Sequence, residues 1–397
     1  MMASLNDKLK ELYKTTPVVA GDIYRHIHQN PELSFRESGT SSYVASFLES
    51  LGIGIIKLDK SYSLLATIDG TGEGKTIGLR AELDALPIDE KTGESYASRT
   101  AGVMHACGHD FHLASVLGAA IILNNLREFW SGKVVLVFES GEEELPGGAR
   151  AILESDEFQE VKPDYMVGMH VLPELTTGKV GFCPGRYMAS GDEVYLTARG
   201  RGGHAALPHT LVDPIVIAST IILSLQTLVS RKAPSNIPSV LSFGRVTANG
   251  STNVIPDEVS ISGTFRTMNE EWRAKAHDLI VQMASDIARS TGGECSVEIR
   301  KGYPSVYNDP ILTQTAVEVA SSIFGSENVA PLEPRMTTDD FAYFSQAIPS
   351  VFFRIGVGTP GAPTLQLHRP DFRIDEQAFQ TSLPMLTGLC LKLLTSS

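Results

Sequence analysis

Apolar residues recur along the chain with two periods, one helical and one strand-like, and their alternation divides it into segments. Positions 4 to 28 carry the helical spacing in two pieces, with Ser4 offering an N-cap and Pro17 dividing them. A second helix is predicted over Thr40 to Leu51, stopped by Gly52. Two strand-like runs follow, Ser63 to Ile68 and Thr76 to Leu83. The stretch Gly70-Thr71-Gly72-Glu73-Gly74-Lys75 between them reads as a hairpin turn, because no helix follows it and the spacing of a phosphate-binding loop is absent. An apolar helix is predicted from 113 to about 129, then a buried strand from Lys133 to Phe138 that leads into Glu142-Glu143-Glu144. Further strands are predicted over Asp164 to Met169, ending at His170, and over Ser350 to Ile355, with His368 in the loop beyond.

The middle of the chain has a different pattern. A strand (193–199), a helix (213–230), two strands (239–247 and 258–267), a helix (270–290) and a strand (294–301) follow one another there. This βαββαβ order suits a ferredoxin-like α+β unit. The reading is therefore an α/β domain with a mixed sheet flanked by helices, encoded by 1–187 and 304–397, and an inserted unit at 188–303.

Composition narrows the possible partners. A net charge of −13 and 42% hydrophobic residues describe a folded, acidic protein, and disfavour nucleic acid or an anionic membrane as partner. Cys107, Cys183, Cys295 and Cys390 are scattered without paired spacing, which favours a reducing compartment. No basic segment followed by an apolar core opens the sequence, and no run approaches the roughly 18 apolar residues of a membrane span. A cytoplasmic location is expected.

The chemistry concentrates in His105-Ala106-Cys107-Gly108-His109-Asp110-Phe111-His112. Thiolate and imidazole both suit zinc, and imidazole suits most first-row metals. More donors wait elsewhere: Asp84, the Glu142-Glu143 pair and His170 each lie just past a predicted buried strand, along the edge where open α/β sheets gather their ligands. Two adjacent glutamates cannot easily point the same way, so one can bind metal while its neighbour moves a proton. His26 and His28 read as surface or packing residues, and His105, His112, His209 and Asp110 as support.

These residues carry a resemblance. Arg-His-Ile-His-Gln-Asn-Pro-Glu-Leu-Ser-Phe at 25–35, Leu-Arg-Ala-Glu-Leu-Asp-Ala-Leu-Pro at 79–87 and the His-Ala-Cys-Gly-His-Asp cluster come first. Gly-Met-His at 168–170, Gly-Gly-His-Ala-Ala-Leu-Pro-His at 202–209, Asn-Val-Ile-Pro at 253–256, Gly-Thr-Phe-Arg at 263–266 and Leu-His at 367–368 follow in order. The series resembles the amidohydrolase branch of the aminoacylase and carboxypeptidase superfamily of dinuclear metallopeptidases, through nearly the whole chain. The resemblance implies that Cys107, His109, Glu143, His170 and His368 hold two divalent ions, zinc or manganese foremost, with cobalt or nickel also fitting these donors. It makes Glu142 the general base and then acid, and Asp84 the carboxylate that orients a ligand. His204, Asn253 and Arg266 would grip the substrate from the inserted unit, acting as a lid and as the interface of a homodimer.

The implied reaction is hydrolysis of an N-acyl-amino acid to a carboxylic acid and a free amino acid. A dipeptidase or carboxypeptidase could use the same dinuclear site. A cysteine hydrolase built on Cys107 and His109, and a non-catalytic binding protein, are the readings from other classes. Two departures from the family pattern stand out: Glu139-Ser140-Gly141 replaces a common Gln-Pro-Ala, and Thr338-Asp339-Asp340-Phe341 replaces Ser-Glu-Asp-Phe. The first leaves open whether Glu143 or Glu144 is the ligand.

Overall fold

The computed structural model describes residues 2–395, with side chains from Leu5 to Thr395. The chain divides into two compact units: Met1–Gly185 with Tyr307–Glu333 and Asp340–Ser397, and Arg186–Val306 with Pro334–Asp339. The second unit thus takes in a segment, 334–339, that the sequence reading placed in the first. Backbone bonds from Ala189 N–H to the carbonyls of Arg335 and Thr337 tie it there.

The first unit is built on a mixed eight-stranded sheet. Its order is Gly54–Lys57, Leu64–Asp69, Lys133–Glu139, Thr76–Glu82, Tyr165–Thr176, Ser350–Gly358, Val180–Phe182 and Val329–Pro331. The central strands Lys133–Glu139, Thr76–Glu82, Tyr165–Thr176 and Ser350–Gly358 run parallel and are buried nearly throughout, as continuous apolar runs require. Helix His109–Asn125 lies against Thr76–Glu82, and Met2–Gln29 and Phe379–Leu394 pack on that helix. It begins four residues before the predicted start because Gly108, at φ +87°, turns the backbone directly into it.

Three expectations need correction. The helix at the N-terminus is not divided at Pro17; it is continuous from Met2 to Gln29, with Ser4 inside its first turns. Its buried stripe of Thr16, Ala20, Ile23, Tyr24 and Ile27 outweighs the ~3 kcal/mol cost of an interior proline, since each large apolar side chain buried is worth about 1.5–3 kcal/mol. The Gly70–Lys75 stretch is not a hairpin turn either, because strand Lys133–Glu139 lies between the two strands it connects. Gly70 N–H donates to the Gly132 carbonyl and Thr71 N–H to that of Trp130, while Gly132 and Lys133 donate back to Gly72 and Lys75. The connection wraps around the entrance to that strand, so close that a Cβ on Gly132 would meet the Lys75 carbonyl at 2.2 Å. Finally, His170 lies within strand Tyr165–Thr176 and not past its end. Pairing with Thr76–Glu82 stops at Gly168, but pairing with Ser350–Gly358 continues through His170 and Val171.

The second unit has an antiparallel sheet in the order Ser239–Ala248, Glu258–Thr267, Asp192–Arg199 and Glu294–Lys301. Helices Pro214–Thr227 and Glu270–Ser290 cover one face, where Val194, Leu196 and Ala198 meet Ile217, Ile221, Trp272 and Ile280. This is the ferredoxin-like arrangement. One helix, Pro214–Lys232, is long and apolar enough to cross a membrane by length and composition, with mean hydropathy 1.5, which the sequence reading did not register. Interspersed Ser219, Thr220, Ser224 and Gln226 break its apolar run, and Ile217, Ile221, Leu225 and Leu228 bury one stripe in the unit's own core.

Candidate metal centre

The first unit gathers its chemistry-bearing residues from five places in the sequence. Asp84 follows strand Thr76–Glu82, Cys107 precedes helix His109–Asn125, and His109 is that helix's first residue. Glu142 and Glu143 follow strand Lys133–Glu139, His170 projects from strand Tyr165–Thr176, and His368 sits in the loop after Ser350–Gly358. Gly108 permits the tight approach: a Cβ there would lie 2.7 Å from a Val171 methyl.

Cys107 Sγ stands at the middle, 3.4 Å from His170 Nε2 and 3.3 Å from His368 Nε2. Glu143 Oε1 is 3.1 Å from His368 Nε2 and 3.9 Å from His109 Nε2, and Glu142 Oε2 is 3.8 Å from the same His109 atom. Three sets of potential donor atoms therefore converge: Cys107 with His109 and His170; Cys107 with Glu143 and His368; His109 with Glu142 and Glu143. Glu144 is exposed. Glu143 lies within two of these sets.

The donor atoms are prepared by what lies behind them. Asp84 accepts from His109 Nδ1, 3.2 Å away, which turns Nε2 toward the cluster; its other oxygen accepts from Ser34 Oγ at 2.7 Å and Glu143 N–H at 2.9 Å. His170 Nδ1 donates to the Val171 carbonyl at 2.9 Å, so its Nε2 is free to bind. His368 sits at φ +60°, a strained conformation for a side-chain-bearing residue, and its N–H is anchored on the Ala106 carbonyl at 2.8 Å. His112 is different: Val171 N–H donates to its Nε2 at 3.0 Å and its Nδ1 faces Glu82 at 2.9 Å, so neither nitrogen is available as a ligand.

Burial shapes the charges. It would push Asp84 up, but His109, Glu143 N–H and Ser34 together hold its carboxyl below the usual range. It pushes the Cys107 thiol well up, with Glu143 adding to the effect, and His170 well down, with Arg354 adding. His109, which burial alone would lower, is held well above the ordinary imidazole value by Glu82, Cys107 and Asp84. Among the described residues, His109 Nε2 and Glu143 Oε1 are buried without a hydrogen-bond partner. Unpartnered ligand atoms of this kind, next to a thiol and two further imidazoles, fit divalent cations of the zinc type, which bind in place of protons.

Two supporting groups were not foreseen. Of the surface and packing readings, His28 takes the packing one: it is 2% exposed, with Nδ1 2.6 Å from Asp110 and Nε2 3.2 Å from Glu90. Although burial opposes it, the two carboxylates raise His28 to about 9. The signal was present in the stripe Ala20, Tyr24, His28, since His26 two positions back is exposed. Arg80, fully buried, pairs with Glu82, with Glu139 at 2.7 Å and with Asp340 at 2.7 Å, so that one guanidinium braces the strand behind the cluster.

In the second unit the structure brings together two of the remaining three residues. His204 pairs with Val254 across a short ladder, Asn253 accepts from Ala205 N–H through its backbone carbonyl, and both are exposed. Arg266 lies elsewhere in that unit, on strand Glu258–Thr267, where it donates to the Met336 carbonyl at 3.0 Å.

The sequence matches the model of peptidase family M20/M25/M40 over residues 78–392. It is 37% identical to the N-acetyl-L-cysteine deacetylase of Bacillus subtilis, over 94% of this chain and 88% of that one. It is also 34% identical to thermostable carboxypeptidase 2 of Saccharolobus solfataricus, over 89% of each. The fold superposes on the crystal structure of Bacillus subtilis YXEP, described as a dinuclear metal binding peptidase from the M20 family, with TM-score 0.84 and 32% identity, covering 97% of this chain and 99% of that one. The chain belongs to peptidase family M20/M25/M40, and it is an enzyme of the hydrolase class.

Proposed function

We propose that the enzyme hydrolyses the amide bond of N-acyl-amino acids, with Cys107, His109, Glu143, His170 and His368 holding two divalent ions and Glu142 moving the proton. The observation that carries this is the division between the adjacent glutamates. Glu143 Oε1 faces His368 and His109 and shares a donor set with Cys107, whereas Glu142, 3.8 Å from His109, stands outside the two donor sets that contain Cys107. Bound divalent ions supply Lewis acidity, polarising an acyl carbonyl and acidifying water. The side chains do the rest. Asp84 fixes the His109 ring and the Glu143 backbone at once, and Glu142, 7% exposed, is shielded enough to take a proton and return it to the leaving amine.

His204, Asn253 and Arg266 complete this reading as substrate-binding residues. Arg266 offers a planar fork suited to a carboxylate, the one group every N-acyl-amino acid carries. Zinc or manganese suits the donors best, with cobalt or nickel possible. A homodimer formed through the second unit, the unit read as a lid, is supported by exposed Val216 and Leu223 on its first helix and Val240 and Val246 on its edge strand. Four free thiols support a cytoplasmic location.

A dipeptidase or carboxypeptidase reading is favoured by one observation, the similarity to the Saccharolobus carboxypeptidase. A cysteine nucleophile is disfavoured because a cysteine hydrolase would have no need of the further donors at Glu143, His170 and His368. A non-catalytic binding protein would have no use for the sheltered Glu142. The deciding experiment is amine release from hippurate, several N-acetyl-amino acids and several dipeptides, using metal-stripped protein and the same protein restored with zinc or manganese. Metal-dependent release from the acylated substrates is the expected result; release from dipeptides alone would move the enzyme to the peptidases.

A further inference from the structure

We propose that Glu37 is a positioning residue for the loop that carries Glu142, acting through Ser140 and the backbone of Phe35. Glu37 stands at the N-cap position of helix Ser38–Ser50, where a carboxylate ordinarily bonds the first free N–H groups, yet its side chain makes no such bond. Glu32 does that work, accepting from Gly39 N–H at 3.0 Å and Thr40 N–H at 2.7 Å. Glu37 is turned inward and fully buried. One oxygen accepts from Phe35 N–H at 3.0 Å and the other from Ser140 Oγ at 2.6 Å.

The turn at 34–37 meets the 140–143 loop directly at two points and through Asp84 at a third. Ser140 is held by Glu37. Gly141 is covered by the Phe35 ring, so closely that a Cβ there would lie 2.4 Å from a ring carbon. Glu143 N–H is held by Asp84, whose same oxygen accepts from Ser34. Glu142 is the residue bracketed by these contacts. The turn is bent to reach them: Phe35 sits at φ +60°, an outlier for a bulky side chain, and strain of this kind persists where the surroundings dictate it. A carboxylate buried in place of capping its own helix, and a strained aromatic beside it, both serve contacts to one loop.

The inference rests on Glu142 being the base, and its test has a part that does not. Glu37→Ala should lower kcat by about 10- to 100-fold with KM within about twofold, because small misplacement of a reacting group is that costly. It should keep both metal ions. Glu37→Gln should recover most of kcat, since its amide can still accept from one partner and donate to the other. Ser140→Ala, which breaks the same bond from the far side and leaves the turn intact, should give a smaller loss in the same direction. The double variant should be no worse than Glu37→Ala. Amide hydrogen exchange, read without substrate, should quicken at 140–143 in Glu37→Ala and in Ser140→Ala, and stay near wild type in Glu37→Gln. Unchanged kcat and exchange in Ser140→Ala and Glu37→Ala would overturn the proposal, as would loss of metal from either or losses that multiply in the double variant. If wild-type protein released no amine from any acylated substrate, the proposed function would fail while the exchange measurements would still decide the role of Glu37.

Discussion

In the first unit Cys107, His109, Glu142 and His170 are buried, and carboxylates and backbone carbonyls behind His109 and His170 fix which nitrogen faces forward. In the second unit His204 and Asn253 are exposed and Arg266 is half-buried, held by single contacts: Ala206 N–H on His204, Ser251 Oγ on Asn253 and the Met336 carbonyl on Arg266. The difference follows from what each set has to meet. Donors to a cation must be stripped of water and aimed in advance, at a cost recovered when the cation binds. Groups that meet a soluble substrate must stay reachable. One half of the proposed machinery is therefore rigid and sensitive to any change behind it, and the other is tolerant in stability and sensitive in affinity.

Removing the metals should have the largest effect. Lewis acidity is worth several kcal/mol, so chelation should lower turnover by about 10³-fold or more, with recovery on adding zinc or manganese. Next is the brace behind the cluster: Asp84→Asn should weaken metal binding by about 10- to 100-fold, measured by competition with a chromophoric chelator. Arg266→Ala should raise KM by about tenfold, the worth of a charge-assisted hydrogen bond, while metal content and thermal midpoint stay at wild-type values. An equal loss of metal in Arg266→Ala would erase the contrast between the two regions.

The smallest effect concerns pH. Burial pushes the Glu37 carboxyl up to about 7, with Asp84 adding to it. A folded-state value above the unfolded one gives stability that is full below about 4.5 and is lost as pH rises through 7. Glu37→Gln has no such group. The wild-type thermal midpoint should therefore fall relative to that of Glu37→Gln between pH 5 and pH 8, by a few degrees, in metal-saturated protein. A constant difference across that range would assign the carboxyl an ordinary value.

Much of this was legible in the sequence because it is local. Strand interiors such as Lys133–Glu139 announce themselves as apolar runs, and Cys107 and His109 stand two residues apart. What was not legible is pairing. Nothing within Gly70–Lys75 reveals that a strand some sixty residues onward slides between its neighbours; only Gly132 O and Trp130 O, accepting from Gly70 and Thr71, show it. His170 was read as a donor and placed at a strand end, but its strand continues against a partner, Ser350–Gly358, remote in sequence. His28 and Arg80 escaped for a related reason. A charged residue reads as solvated until the carboxylates that surround it, Asp110 and Glu90 for one and Glu139 and Asp340 for the other, are known to converge.

The central claim is that two neighbouring glutamates have separate duties, and metal content measured beside turnover in Glu142→Gln and Glu143→Gln tests it most directly. Glu142→Gln should retain two ions per chain and lose about 10³-fold in kcat, within the range for general acid–base catalysis, whereas Glu143→Gln should lose metal along with activity. Near-normal turnover in metal-loaded Glu142→Gln, or metal loss from Glu142→Gln with full occupancy in Glu143→Gln, would contradict the account.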